Sequence, residues 1–447
     1  MAWYKDKIFW GILIAAAITK LTVFLWLVVA GPLGNQVLVF PDSLGYVFPA
    51  QTLLAHGSLW EAISSSPMLL RTPGYPVFLA LVQLVGGNMT WAVVAAQNIL
   101  SFCLLLPVYL SARRVGSVGT ARLAAGFCAI SVLYFTLSFA VLTETLCVFL
   151  LAWFVFLVLC WLDHPRWYYL LGSALLLTAA VYVRPAVYYF VPVGFLLFSL
   201  YAALKKSLTR LLQTVLCFLL PAVVLIGAWH VRNYKQTGYG GFTSVGAYNL
   251  YIWNEDFVAK QNNITVAQAY QQLERALPSD FYSFSAAQQV ETYKQLAKPL
   301  LKQSWKYKIS RLPLWAGKTL FGTNQAHLTR LLLGQEENQE TALNQTDALP
   351  HAWLGSGVEK LLFALALIQV ASVALLGICG LWINLKKYPA QTVFLLVYTG
   401  YFWLLGSSFL GAYARFRAPF EFVFCITAAI AVKAFWPHKR KKYIPLP

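Results

Sequence analysis

The sequence predicts an all-α polytopic membrane protein: a bundle of about ten transmembrane helices, interfacial helices in the first external loop, and a small, mainly helical external domain. Three observations lead there. The chain is 59% hydrophobic and 11% charged, with mean hydropathy +0.62, whereas soluble domains carry about 25% charged residues. A globule this poor in polar groups could not cover its own surface. The apolar residues gather into runs close to the ~20 needed to cross a bilayer core. The excess of 34 Lys+Arg over 16 Asp+Glu falls in short clusters between those runs, as the positive-inside rule requires of cytoplasmic loops. A nucleic-acid binder would instead gather its bases into a patch on a polar domain, so no nucleic-acid partner is expected.

The candidate spans are residues 8–30, 90–112, 121–140, 144–162, 167–183, 186–204, 209–229, 357–383, 389–410 and 418–436. The first run is too long for the apolar core of a cleaved signal peptide and reads as a retained span. Lys5 and Lys7, then Arg113, Arg114 and Arg122, Arg166, Lys205, Lys206 and Arg210, Lys386 and Lys387, and the tail "HKRKK" all fall on one side if both termini are cytoplasmic. The other face then receives residues 31–89, residues 230–356 and short turns near 137–143, 184–185 and 411–417. Within the first loop, "YPVFLALVQLVG" is apolar but too short to span, which suits an interfacial or re-entrant helix. In the second, "TVAQAYQQLERAL" and "AAQQVETYKQLAKPLLKQSWKYKISRL" carry helical apolar spacing. The expected organisation is an N-terminal transmembrane module (1–229), an external segment (230–356), and C-terminal transmembrane helices with a basic tail (357–447).

All seven cysteines lie inside apolar segments, and the six histidines are scattered without ligand spacing; the cysteines read as small buried hydrophobes. No P-loop, GxSxG or HExxH motif is present.

Acids are scarce, so each is informative. Nine lie in the 230–356 segment beside a similar number of bases and read as solvated surface. Asp6 and Asp163 sit in cytoplasmic flanks. Asp42, Glu61, Glu144, Glu359 and Glu421 remain near the external membrane boundary. Asp42, in "VLVFPDSLGYVFPA", has two readings: an N-cap of a short helix carrying Tyr46 and Ala50, or a general base at the membrane surface. Glu144, at the start of a span in "LTETL", is either a dipole-favoured first-turn acid capped by Thr143 or a functional acid. On the same face, against the positive-inside bias, stand Arg71, Arg184, His230 and Arg232, Arg415 and Arg417. Each alone could snorkel to headgroups; together they suit an anion such as a lipid phosphate. Arg184 has no acid beside it in sequence. Lys20, in mid-span, either snorkels or neutralises an acid in the bundle.

The ordered motifs "FPDSLGYVFPAQTLLAHGSLW", "RTPGYPVFLALVQLVGG", "LTETL", "VRPAVYYFVP", "WHVRNYKQTGYGGFTSVGAYNLYIWN" and "ARFRAPFEF" together resemble the GT-C membrane glycosyltransferases, in particular the bacterial branch of the protein O-mannosyltransferase and lipid A aminoarabinose transferase superfamily. The resemblance covers almost the whole chain. It implies a polyprenyl-phosphate sugar donor entering from the outer leaflet, a glycan, lipid or protein acceptor, and inverting transfer with Asp42 as general base. By position it assigns Arg71, Arg184, His230, Arg232, Arg415 and Arg417 to the donor phosphate. Glu144, Asn233, Tyr46 and Asn249 are assigned to sugar or acceptor. It also implies a bacterial inner membrane with the site on the external, periplasmic face. Many relatives have Asp-Glu where this chain has Asp42-Ser43, so no metal is expected to be required, although a divalent ion stays open. A non-catalytic flippase of a lipid-phosphate sugar and a glycan ligase or polymerase are the alternatives.

Overall fold

The computed structural model describes residues 3–30, 40–60, 67–87, 89–333, 357–408 and 413–436. Glu61, part of the first external loop, residues 334–356 of the external segment and the basic tail lie outside the described residues. The described residues are helical, with a single isolated antiparallel bridge between Trp60 and Pro67.

In chain order the helices are α1 (Lys7–Ala30), α2 (Pro41–His56), α3 (Gly74–Gly86), α4 (Met89–Cys103), α5 (Leu105–Arg114), α6 (Val118–Ala129) and α7 (Val132–Ser138). They continue as α8 (Glu144–Asp163), α9 (Trp167–Val183), α10 (Phe190–Leu204), α11 (Leu208–Gln213) and α12 (Leu220–Thr237), the last two joined by a π-helical turn. Then come α13 (Val245–Ile252), α14 (Glu255–Asn262), α15 (Val266–Arg275), α16 (Ala286–Phe321), α17 (Gln325–Leu333), α18 (Gly357–Leu385), α19 (Pro389–Ser408) and α20 (Ala418–Phe435).

Among the described residues, seven helical segments are long and apolar enough to cross a membrane, or eight if the bent pair α6–α7, kinked by 54°, is one span. The chain is thus a multi-pass membrane protein. Within the described residues every predicted span is mainly helical, but two fall short of that test. α9 has only 17 residues, the short end of the spanning range. α19 has 20 residues, but Gln391, Thr392, Tyr398, Thr399 and Tyr401 dilute its apolar run. The span predicted at 209–229 continues to Thr237, so His230, Arg232 and Asn233 belong to the end of a span.

α20 forms the centre. Ala418 to Ala431 are buried without interruption, which an apolar helix shows when neighbours surround it on all sides. Its tightest neighbour is α18: a Cβ on Gly380 would lie 1.8 Å from the Thr427 carbonyl oxygen, so only glycine fits there. α1 is peripheral and exposes Ile14, Ile18, Leu21 and Leu25, as a lipid-facing helix would. Lys20 on α1 neither snorkels nor meets an acid. It is 8% exposed, its ammonium donates to Ser138 Oγ at 2.7 Å, and it lies 5.2 Å from the Phe135 ring centroid.

Polar groups collect at the two ends of the bundle. At one end Asp6 is fully buried, bonded to Tyr109 Oη at 2.7 Å and paired with Arg122 at 2.9 Å, while Asp163 pairs with Arg114 at 3.2 Å. Asp42, Glu144, Arg184 and Arg415 lie at the other. α13–α16 form a separate helical unit with its own core around Tyr251, Ile252, Phe281 and Tyr293. Thr265 and Ser285 open α15 and α16 with capping boxes. This unit is joined to the bundle through α16, whose last turn packs on α19 and the Ala414–Arg417 turn.

Candidate active site

The site begins with how α2 is started. Phe40 is the N-cap, Pro41 occupies the first turn, and Asp42 makes no capping bond. The capping reading of Asp42 is therefore replaced. Ser43 does that work: its hydroxyl accepts from Phe40 N at 2.9 Å and donates to the Val141 carbonyl at 2.8 Å. Ser43 thus ties α2 to the turn before Glu144 and leaves the Asp42 carboxylate free to face other groups. Tyr46 and Ala50, at 8% and 0% exposure, seat α2 in the core.

Two arginines from distant parts of the chain close on that carboxylate. Arg71 Nη2 donates to Asp42 Oδ1 at 2.9 Å, and Arg415 Nη1 donates to Oδ2 at 3.0 Å. All three side chains keep partial exposure, 34% for Asp42, 26% for Arg71 and 27% for Arg415. Burial alone would raise the Asp42 carboxyl, but the charges and hydrogen bonds of Arg415 and Arg71 outweigh it and hold it at about 2. Arg71 also donates to Tyr46 Oη at 3.3 Å and lies 5.0 Å from that ring's centroid. Gly45 makes room for it, since a Cβ there would sit 3.3 Å from Arg71 Nε.

A second ion pair lies beside the first. Arg184 Nη1 meets Glu144 Oε1 at 2.6 Å, so Arg184 does have an acid partner, one that its neighbours in sequence do not reveal. Thr143 does not cap α8 with its side chain; its hydroxyl donates to Glu144 at 3.2 Å and accepts from Arg184 at 3.2 Å. The Phe416 ring stands between the two clusters, 5.8 Å from the Arg184 guanidinium and 5.6 Å from that of Arg415.

The other candidates take different places. Arg232 donates to the Met68 carbonyl at 2.8 Å, and Asn233, fully buried, donates to the Gly241 and Phe242 carbonyls at 2.8 and 3.0 Å. Thr243 Oγ1 and Ser244 N donate to the Leu69 carbonyl at 2.9 and 3.0 Å. These bonds brace residues 68–70, the segment that delivers Arg71. His230 joins the Gly240 carbonyl at 2.7 Å and Tyr188 Oη at 3.3 Å. Asn249 is half-buried on α13. Arg417 is 1% exposed; its Nε meets Glu421 at 2.8 Å and its Nη1 donates to the Thr319, Leu320 and Gly322 carbonyls at 2.8–3.1 Å. Arg417 thereby satisfies the carbonyls that end α16 and fixes the turn that presents Arg415. Glu421 also accepts from Ser131.

Sequence reasoning missed α17. His327 and Arg330, three residues apart, place the imidazole 4.8 Å and the guanidinium 4.9 Å from the Phe40 ring centroid, just ahead of Asp42. Burial, then the charges of Arg415 and Arg330, push His327 down to about 4, so the imidazole is neutral at physiological pH. A His and an Arg on one face of a short helix in the external segment was the available signal. Tyr413 was also missed. Burial raises its hydroxyl; Arg415 opposes that, while Glu255, Asp256 and Asp42 add to it. Among the described residues no three of His, Cys, Asp and Glu converge as a metal-holding group.

This architecture has structural counterparts. The chain superposes on the Archaeoglobus fulgidus oligosaccharyltransferase with TM-score 0.53 and 14% identity, over 97% of this chain and 51% of that one. The chain has the GT-C fold. It spans about half the length of that oligosaccharyltransferase. The family described as dolichyl-phosphate-mannose-protein mannosyltransferase matches residues 70–229 of this chain. A weaker likeness joins it to ArnT from Cupriavidus metallidurans bound to undecaprenyl phosphate, with TM-score 0.39, 13% identity, and coverage of 95% of this chain and 78% of that one. No curated protein matches at the sequence level.

Proposed function

We propose that this chain is an inverting glycosyltransferase that moves a sugar from a polyprenyl-phosphate-linked donor to an acceptor hydroxyl on the external face of a bacterial inner membrane. The observation that carries the reading is the meeting of one carboxylate, Asp42, with Arg71 and Arg415 at one end of the bundle, beside Glu144–Arg184. A family described by a prenyl-phosphate sugar matching residues 70–229 supports the donor class. The bases expected on the cytoplasmic side, Arg114 and Arg122, pair at the opposite end of the bundle, which supports the assignment of faces.

In the proposed reaction the donor is a phosphodiester carrying one negative charge. Asp42 accepts the proton of the acceptor hydroxyl as that oxygen bonds to the anomeric carbon. The bond from that carbon to the phosphate oxygen breaks, and its electron pair leaves on polyprenyl phosphate. Charge grows on the leaving phosphate, and Arg71 and Arg415, with Arg184 nearby, stand where positive groups stabilise it. Glu144 and Tyr46 border the same space and are assigned to sugar or acceptor hydroxyls. Arg232 acts as a positioning residue for the Arg71 segment, with Asn233 holding the adjoining residues 241–242, and Arg417 for the Arg415 turn; His230 keeps its assignment to the donor phosphate as a proposal. Asn249 keeps its assignment to the acceptor side as a proposal.

Proteoliposomes containing the protein, lipid-linked sugars extracted from the host membrane and host acceptor extract test this. Wild type should convert polyprenyl-phosphate sugar to polyprenyl phosphate. Asp42→Asn should slow that by roughly 10²-fold or more while inserting normally. Undiminished conversion in Asp42→Asn sinks the reading. Donor that crosses the bilayer at the wild-type rate without being consumed points to the flippase instead.

A further inference from the structure

One feature of the site sits awkwardly with base catalysis. Both oxygens of Asp42 are taken, Oδ1 by Arg71 at 2.9 Å and Oδ2 by Arg415 at 3.0 Å. A carboxylate clamped between two guanidinium groups has little affinity for a proton, and a general base works best with a pKa near the operating pH. Yet the same two arginines are those assigned to the donor phosphate.

The four ion pairs made by Asp42, Glu144 and Glu421 differ in a telling way. In Glu144–Arg184 the side chains are 3% and 15% exposed, and in Arg417–Glu421 they are 2% and 3% exposed. Around Asp42, by contrast, the partners all stand open, at 26–34%. The arginines are also held loosely apart from Asp42. Arg71 has one further hydrogen bond, to Tyr46 Oη at 3.3 Å, and its buried Nε has no hydrogen-bond partner. Beyond Asp42, Arg415 rests on the faces of Tyr413 and Phe416, contacts that survive a change of anion.

Resting on the proposed function, we infer that Asp42 and the donor phosphate compete for Arg71 and Arg415, so that donor binding releases the base. One monoanion replaces another: two phosphodiester oxygens take the two guanidinium groups, and the carboxylate swings free with its proton affinity restored. Donor then binds before productive use of the acceptor. After transfer, Asp42 gives the proton it accepted to water, and the returning carboxylate competes with the leaving polyprenyl phosphate and hastens its release. Such competition lowers apparent affinity by the fraction of sites whose arginines are available.

The test is equilibrium binding of undecaprenyl phosphate to the full chain in nanodiscs at pH 7.5. Asp42→Asn should tighten binding on the order of tenfold, the scale of an ordinary coupling between two ligands. Arg71→Gln and Arg415→Gln should each weaken it. In an Arg71→Gln/Arg415→Gln background, Asp42→Asn should no longer tighten it, which separates exchange from a general loss of negative charge. Thermal unfolding of each variant in the same nanodiscs selects those that fold. Unchanged or weaker binding by folded Asp42→Asn, with both arginine variants impaired, overturns the exchange and leaves the phosphate site standing. Unchanged binding by both arginine variants overturns the phosphate site itself.

Discussion

At the residue scale, the site is built by spending scarce acids where bases from other segments can meet them. Glu144 shows this: its side chain is 3% exposed and Arg184 is its counter-ion at 2.6 Å. Removing one partner of such a pair leaves an uncompensated charge and costs ~3–5 kcal/mol, whereas replacing both is often near neutral. Arg184→Gln should therefore destabilise the protein by about that much, and the double variant Glu144→Gln/Arg184→Gln should recover most of it in thermal unfolding. If Glu144 also binds sugar or acceptor, as proposed, the double variant stays impaired in transfer despite recovered stability. Recovery of both would reduce the pair to structure.

The element scale concerns α14, whose first turn carries Glu255 and Asp256. Burial, then the charge of Asp256, pushes Glu255 up to about 7. An acid with a raised folded pKa binds more protons folded than unfolded between its ordinary value, near 4.5, and 7. Stability contributed by the protonated form is thus present below that window and falls as pH rises through it. Unfolding followed by tryptophan fluorescence should show a lower melting temperature at pH 8 than at pH 5, and Glu255→Gln should flatten the difference. A wild-type profile unchanged by that substitution would remove Glu255 as its cause. Elements also set how much could be read in advance. The spans and the helices of the external segment were legible because apolar runs and 3.6-residue periodicity are local properties. α9 and α19 were harder, since length and diluted hydropathy put them at the margin of a spanning helix.

At the scale of the whole molecule, alternating basic loops let the sequence bring Asp42, Arg71, Arg184 and Arg415 to one end of the bundle. What it could not do was pair them. The Arg184–Glu144 and Arg415–Asp42 partners are 40 and 373 residues apart in the chain, the first difference being 184 − 144, and only packing around α20 decides such matches. For the same reason Arg415 and Arg417 looked equivalent, although one faces the Asp42 carboxylate and the other seals the end of α16. The topology has its own test in intact cells, in a background whose native cysteines are replaced. Cysteine at Lys260 should react with a membrane-impermeant maleimide from outside, and cysteine at Lys206 only after permeabilisation. The reverse pattern would invert the proposed faces.

The most direct measurement of the central claim is mass spectrometry of the lipids that co-purify with wild type and with Asp42→Asn from the same membranes. Asp42→Asn should retain intact polyprenyl phosphate bearing one sugar, enriched over wild type, because the donor binds but cannot be turned over; the added mass would name the sugar class. Absence of any polyprenyl phosphate species from both proteins would contradict the account.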